Sequence, residues 1–408
     1  MKTFRITLVL LAVCLVPTHR TGAQTGAPIQ DVEATYAFGE QFTISGLVET
    51  ASDFASVDLQ IAFPGDPRIL SVPIEPGPDG SFAFTHLVSD RFIRAFSTVS
   101  YEFVLTATDG AVTTAGPFAF FYSDNRFDWQ QLASGSLTVY WYAGDAAYAR
   151  GILDAAVDGL NRSQALLGHE TLSQIEIYAY ASLEDYQFAR GHFGQTWAGG
   201  HTDPSTGIVL VALPPGPEIR IEIERKVPHE VAHVSLFHAT GAGFWNLPAW
   251  LNEGYASMLE TTPNPDYQFL VAARLEAGEG IPLTDLCGAF PRDASGALLA
   301  YAQSDSVVRH IVRVYGPGGL RTLVGSYAAG ASCEQGPLVA PIALDLAGLD
   351  RAWREQALAA ANSRPSAAGR PDLAELAPWL AVFAAVILGP GLVLIGTGLR
   401  RGGFGGGR

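Results

Sequence analysis

His229-Glu230-Val231-Ala232-His233 is the stretch on which the reading of this chain turns. On a helix, positions i and i+4 share a face, so two imidazoles at this spacing converge on one point. Residues 218–234 have the pattern of such a helix, with Pro228 removing one backbone hydrogen bond just before the first histidine. Paired imidazoles suit zinc, whose catalytic sites keep one of four positions open for water. Glu230 lies on the neighbouring part of the helix surface, where a carboxylate can take the proton of such a water. On these five residues alone, the alternative of two histidines on the surface of an ordinary helix stays open.

Further along stands Trp250-Leu251-Asn252-Glu253-Gly254-Tyr255-Ala256, the expected start of a second helix. HEVAH followed by WLNEGYA resembles the gluzincin zinc metallopeptidases, in particular the peptidase MA-like domains and, more distantly, the alanyl-aminopeptidase family. The resemblance implies Zn2+ as cofactor, His229, His233 and Glu253 as its ligands, and Glu230 as general base. Two neutral histidines and one carboxylate are also a donor set that zinc favours. The segment 300–315 is similar to the helix that follows the metal site in these domains, and 346–358 to their final helix, so the resemblance covers residues 127–361. Within it, Tyr301 is either a hydrogen-bond donor to the developing oxyanion, a role tyrosine takes in gluzincins, or a packed helix aromatic.

Other positions follow from the same comparison. No Gly-Ala-Met-Glu-Asn motif for holding a substrate amine occurs, and the edge strand beside the site is expected at 207–212, without an acid. One turn after Glu253 comes Ser257, which leaves Glu260, a further turn on, as the acid expected to orient a histidine. His238 lies five positions past His233 and is turned from the metal-facing side, where Phe237 is expected to pack.

Outside this region the texture differs. Residues 24–125 read as short strands (41–48, 57–63, 81–87, 101–106 and 117–122) broken by Gly, Pro and Asp clusters, the signature of an antiparallel, immunoglobulin-like β-sandwich. From 126 to 361 strands at 137–142, 175–181 and 208–213 surround a helix at 146–167, and a run of helices follows, an α+β arrangement. Residues 1–23 have the basic start, apolar run and Thr21-Gly22-Ala23 site of a signal peptide. Residues 362–375 form a linker. The uncharged stretch 376–399 is long enough, at about 36 Å as a helix, to cross a bilayer. Arg400 and Arg401 mark 400–408 as a cytoplasmic tail and put the body of the chain outside. The expected architecture is thus multidomain: sandwich, gluzincin-type metallopeptidase domain, and one transmembrane helix that anchors it to a cell membrane.

Once the signal segment leaves with Cys14, Cys287 and Cys333 remain, an even pair in an oxidising compartment. They form either a disulfide or two unrelated buried thiols. The net charge of −15 comes from 40 acidic against 25 basic residues with no basic stripe, which excludes nucleic acid as an expected partner. The leading function is an extracytoplasmic zinc peptidase acting on polypeptides. The alternatives are a surface binding or sensor protein with a vestigial metallopeptidase domain, and a zinc hydrolase of non-peptide substrates. Retention of all three ligands and Glu230 favours the first, and no signal in the sequence bears on oligomeric state.

Overall fold

The computed structural model describes residues 28–169, 174–191 and 199–362. The expected signal segment 1–23, the spanning stretch 376–399 and the tail 400–408 lie outside the described residues. Two compact units are present, one made of the described residues up to Trp129 with 187–191, the other of the rest.

In the first unit, β1 (Ile29–Ala37), β2 (Gln41–Val48) and β5 (Ser81–Leu87) form a three-stranded sheet in the order β1-β2-β5. A four-stranded sheet, β4-β3-β6-β7, combines β3 (Phe54–Ala62), β4 (Ile69–Pro73), β6 (Ser97–Ala107) and β7 (Val112–Tyr122). All pairings are antiparallel. Alternate residues bury themselves, Phe42 and Ile44 in one sheet, Leu59, Ile61, Phe103 and Leu105 in the other, as a period of two demands. Rings meet across the two layers, Phe42 with Phe120 and Phe82 with Phe103, each pair at 5.3 Å between centroids. The unit runs on to Trp129 because that indole packs edge-on against Phe96 and donates to the carbonyl of Asp124 at 2.8 Å.

The second unit opens on a five-stranded sheet of order β11-β12-β10-β9-β8, with β8 (Gln130–Ser134), β9 (Leu137–Trp141), β10 (Ile175–Tyr180), β11 (Gly200–Asp203) and β12 (Ile208–Ala212). Its three inner strands are parallel, and β8 and β11 run antiparallel at the two sides. The edge strand expected at 207–212 is therefore corrected. β12 is interior, and the edge among the described residues is β11. Apolar runs such as Ile208–Ala212 suit a strand with neighbours on both sides, whereas Gly-His-Thr-Asp is too short and polar to announce itself.

Seven helices are described: α1 (Ala146–Leu167), α2 (Leu183–Arg190), α3 (Ile219–Thr240), α4 (Ala249–Met258), α5 (Asp266–Glu276), α6 (Ala294–Ala328) and α7 (Leu346–Asn362). Helix α3 is shared by two cores. Val227, Val231 and Val234 pack with α1 and the sheet, while Ala232 and Leu236 join the helical core of α4 to α7.

The expected fold class is corrected in one respect. Among the described residues no helix is long and apolar enough to cross a membrane. Of the long helices, α3 carries Arg220, Glu222, Glu224, Arg225 and Lys226 along its first half, and α6 is interrupted at Gly316, whose backbone leaves the helical region. The architecture is a β-rich N-terminal unit followed by an α+β unit.

Candidate metal centre

The site begins with a defect in α3. Pro228 has no N–H to offer the carbonyl of Glu224, one turn earlier. That freed carbonyl accepts the N–H of Thr261 instead, at 2.8 Å, so the segment following α4 docks where the helix lacks its own bond. Around the same place a Cβ on Gly159 of α1 would come within 2.9 Å of the Cα of Pro228, so only glycine admits α3 this close. The end of α4 is fixed by arginines on its last carbonyls: Arg162 reaches those of Leu259 (2.9 Å) and Met258 (3.3 Å), and Arg309 that of Met258 (3.2 Å). Its first turn is held by the Ala249 N–H, which donates to the Cys287 carbonyl at 3.1 Å.

Held in this way, α3 and α4 bring together the side chains expected from sequence. His229 Nε2 lies 3.4 Å and His233 Nε2 3.8 Å from Glu253 Oε2. Ligand atoms of the three residues all lie within 4.8 Å of one another, an arrangement able to hold a metal ion. Each imidazole is oriented from its other side. His229 Nδ1 donates to Glu260 Oε1 at 3.3 Å, as expected of Glu260, and His233 Nδ1 donates to Asn252 Oδ1 at 3.0 Å. Both Nε2 atoms are thereby turned toward Glu253.

Glu230 points from α3 toward β11. It is buried, and its Oε2 accepts a hydrogen bond of 2.6 Å from the Thr202 hydroxyl. Tyr301, on α6, stands 6.2 Å from the His229 ring between centroids and edge-on to Phe290 at 5.1 Å. Its hydroxyl bonds to the Glu253 carboxylate. His238 is turned away, against His169, and Phe237 packs on Phe244 and Trp245.

The electrostatics follow from crowding charge into little space. Burial alone would lower the pKa of His229, but its hydrogen bonds to Glu253 and Glu260 and the charge of Glu230 carry it well above the ordinary value. For Glu253 burial works upward, and His233 and His229 outweigh it to leave the carboxyl below its usual range. Burial, and then the charges of Glu253 and Glu230, push the Tyr301 phenol up, so it stays protonated and able to donate. Asp305, which holds Arg309 through Nε at 2.8 Å, is also raised by burial.

Asn252, Thr202 and Gly200 carry no role in the sequence reading. Asn252 had a signal, since it immediately precedes Glu253 on the same helix. The other two sit on a four-residue strand whose neighbour in space only the fold reveals.

Cys287 and Cys333 are joined, with Cα atoms 6.1 Å apart across a sequence separation of 46. The bridge ties the loop whose carbonyl receives α4 to the segment beyond α6, where the Tyr327 hydroxyl donates to the Cys333 carbonyl at 2.8 Å. In the chain-entropy picture, closing a loop of this length contributes about 4 kcal/mol. Replacing both cysteines by serine should lower urea-unfolding stability by about 2–4 kcal/mol. Equal midpoints with and without the bond would show that it contributes nothing.

Gly254 marks the closest approach of α4 to α6: a Cβ there would meet the Ser304 carbonyl oxygen at 2.4 Å. Because the obstacle is backbone, Gly254→Ala should cost about 1–3 kcal/mol and shift the adjacent Glu253. A thermal-unfolding midpoint equal to wild type would contradict this.

The model of the Peptidase MA superfamily matches residues 155–359, which contain every candidate ligand. No curated protein matches the chain. Three solved structures show partial similarity, each with a TM-score of 0.19. The crystal structure of a Br derivative of BhCBM56 is 15% identical and covers 23% of this chain and 94% of its own. Purple acid phosphatase PPD1 from yellow lupin (Lupinus luteus) seeds is 10% identical, with 39% and 31% covered. Pullulanase from Anoxybacillus sp. LM18-11, complexed with maltotriose, is 11% identical, with 50% and 32% covered. The chain thus spans about a third of the length of the latter two. With the family model covering half of its length, the chain belongs to the Peptidase MA superfamily.

Proposed function

We propose that the protein is a zinc-dependent peptidase of gluzincin type, acting on polypeptides outside the cytoplasm. The observation that carries this reading is the convergence of His229, His233 and Glu253 beside a buried Glu230. Ligands on a tetrahedral zinc ion stand about 3.3 Å apart. The 3.4 and 3.8 Å separations from Glu253 Oε2 lie near that spacing, and two imidazoles with one carboxylate suit zinc chemically. When bound, zinc supplies Lewis-acid polarisation of water and of the scissile carbonyl.

The chain's own residues do the rest. Asn252 and Glu260 fix the two imidazole rings. Glu230 takes the proton of the attacking water and hands it to the departing amine. Tyr301, kept protonated by its buried setting, is the donor available to the oxygen on which negative charge develops. The disulfide supports an oxidising compartment for this domain.

The test is to purify the full chain, measure its metal content, and incubate it with labelled casein and a mixed library of internally quenched peptides. One zinc per chain with cleavage of peptide bonds is expected. Stoichiometric zinc with no peptide cleaved would overturn the peptidase reading.

A further inference from the structure

We propose that Thr202 and Gly200, on the edge strand β11, are positioning residues that aim the Glu230 carboxylate. The proposal rests on Glu230 being the base. Two residues apart on a strand, Gly200 and Thr202 present the same face, here the one toward α3. Their register is fixed by pairing with the interior strand, Gly200 opposite Val211 and Thr202 opposite Val209. The two residues act on different oxygens of one carboxylate. The Thr202 hydroxyl donates to Glu230 Oε2 at 2.6 Å, with the Glu230 backbone carbonyl at 3.2 Å as its other acceptor. Oε1 lies over Gly200, where a Cβ would sit 2.1 Å from it and 2.7 Å from the carboxylate carbon.

A hydroxyl on one side and a missing side chain on the other therefore define where Glu230 points. A glutamate side chain has three rotatable bonds, and burial alone does not select among its rotamers. Proton transfer needs the acceptor oxygen within hydrogen-bond reach of the water, so a small misplacement costs rate while leaving substrate binding intact. Backbone geometry does not ask for glycine at 200, because its φ is not in the left-handed region. Space is the reason.

The test uses the full chain loaded with zinc and a fluorescently labelled casein as substrate. Thr202→Val, which keeps the shape and removes the donor, should lower kcat by about 10- to 100-fold, with KM within about twofold and zinc content unchanged. Thr202→Ser restores the hydroxyl and should recover kcat to within about threefold of wild type. Gly200→Ala should depress kcat as Thr202→Val does, by pushing the carboxylate aside. In a Glu230→Gln background, Thr202→Val should cause no further loss, because the group it aims has gone.

Four results with the Thr202 variants would overturn the proposal. They are wild-type kcat in Thr202→Val, a Thr202→Ser as slow as Thr202→Val, an undiminished Thr202→Val effect in the Glu230→Gln background, and loss of zinc or folding in Thr202→Val. Full activity in Glu230→Gln alone sinks the base assignment and this proposal with it. A fast Thr202→Val beside an inactive Glu230→Gln sinks this proposal only.

Discussion

Glu230→Gln is expected to keep its zinc and its fold while kcat falls by about two to four orders of magnitude. Glutamine matches glutamate in size, and the Glu230 pocket between α3 and β11 tolerates no larger change, since Gly200 already yields all its space. The Thr202 hydroxyl still finds an amide oxygen to donate to. No ligand atom is touched, because His229, His233 and Glu253 converge without Glu230. What disappears is the capacity to accept a proton, so the loss should fall on kcat and leave KM nearly unchanged. Steady-state kinetics with metal analysis on the same preparation checks this. Retained activity would remove Glu230 from the chemistry.

His229→Ala, His233→Ala and Glu253→Ala are expected to lose the metal itself. Removing a group that merely orients a ligand typically costs 10–100-fold in metal affinity. Loss of one of three ligands should exceed about 100-fold, whereas Asn252→Ala and Glu260→Ala should stay within that range. The three ligand variants should differ in the absence of metal. His229 stands between Glu253 and Glu260; when it goes, Glu260 loses its histidine partner and Glu253 keeps only His233 and the Tyr301 hydroxyl, so His229→Ala should be the least stable. Glu253→Ala removes a half-buried acid and leaves His229 its bond to Glu260. Competition titration with a chromophoric chelator gives the affinities, and thermal unfolding in chelator gives the order of stabilities. A Glu253→Ala variant that binds zinc as tightly as wild type would remove Glu253 from the ligand set.

Much of this was legible from residue spacing. Histidines four apart on a helix must share a face, and that geometry is local. Glu253 became readable through its neighbours Asn252 and Gly254, each of which has a physical task here: one orients His233, the other lets α4 lie against α6. The central sandwich strands β2, β3 and β6 announce themselves by alternation. β1 and β4 do not, because their patterns are broken or short: the register of β1 shifts between Gln30 and Glu33, and β4 has only five residues, none of them buried. The edge strand β11 was illegible for the same reason, and with it the partners of Glu230. Its four residues carry neither alternation nor hydrophobicity, and their importance arises only from lying beside α3. Pro228 shows in the sequence as the loss of one helix bond, but the docking of Thr261 on the freed Glu224 carbonyl is a contact across 37 positions, which no window along the sequence reveals.

One titration decides whether a zinc ion held by His229, His233 and Glu253 makes this chain a peptidase. The full protein is stripped with a chelator and zinc is added back in known amounts while cleavage of labelled casein is followed. Cleavage should disappear on stripping and return in proportion to added zinc until one ion per chain is bound, with no return in Glu253→Ala. Cleavage that survives complete removal of metal, or that returns equally in Glu253→Ala, would contradict the zinc-peptidase reading.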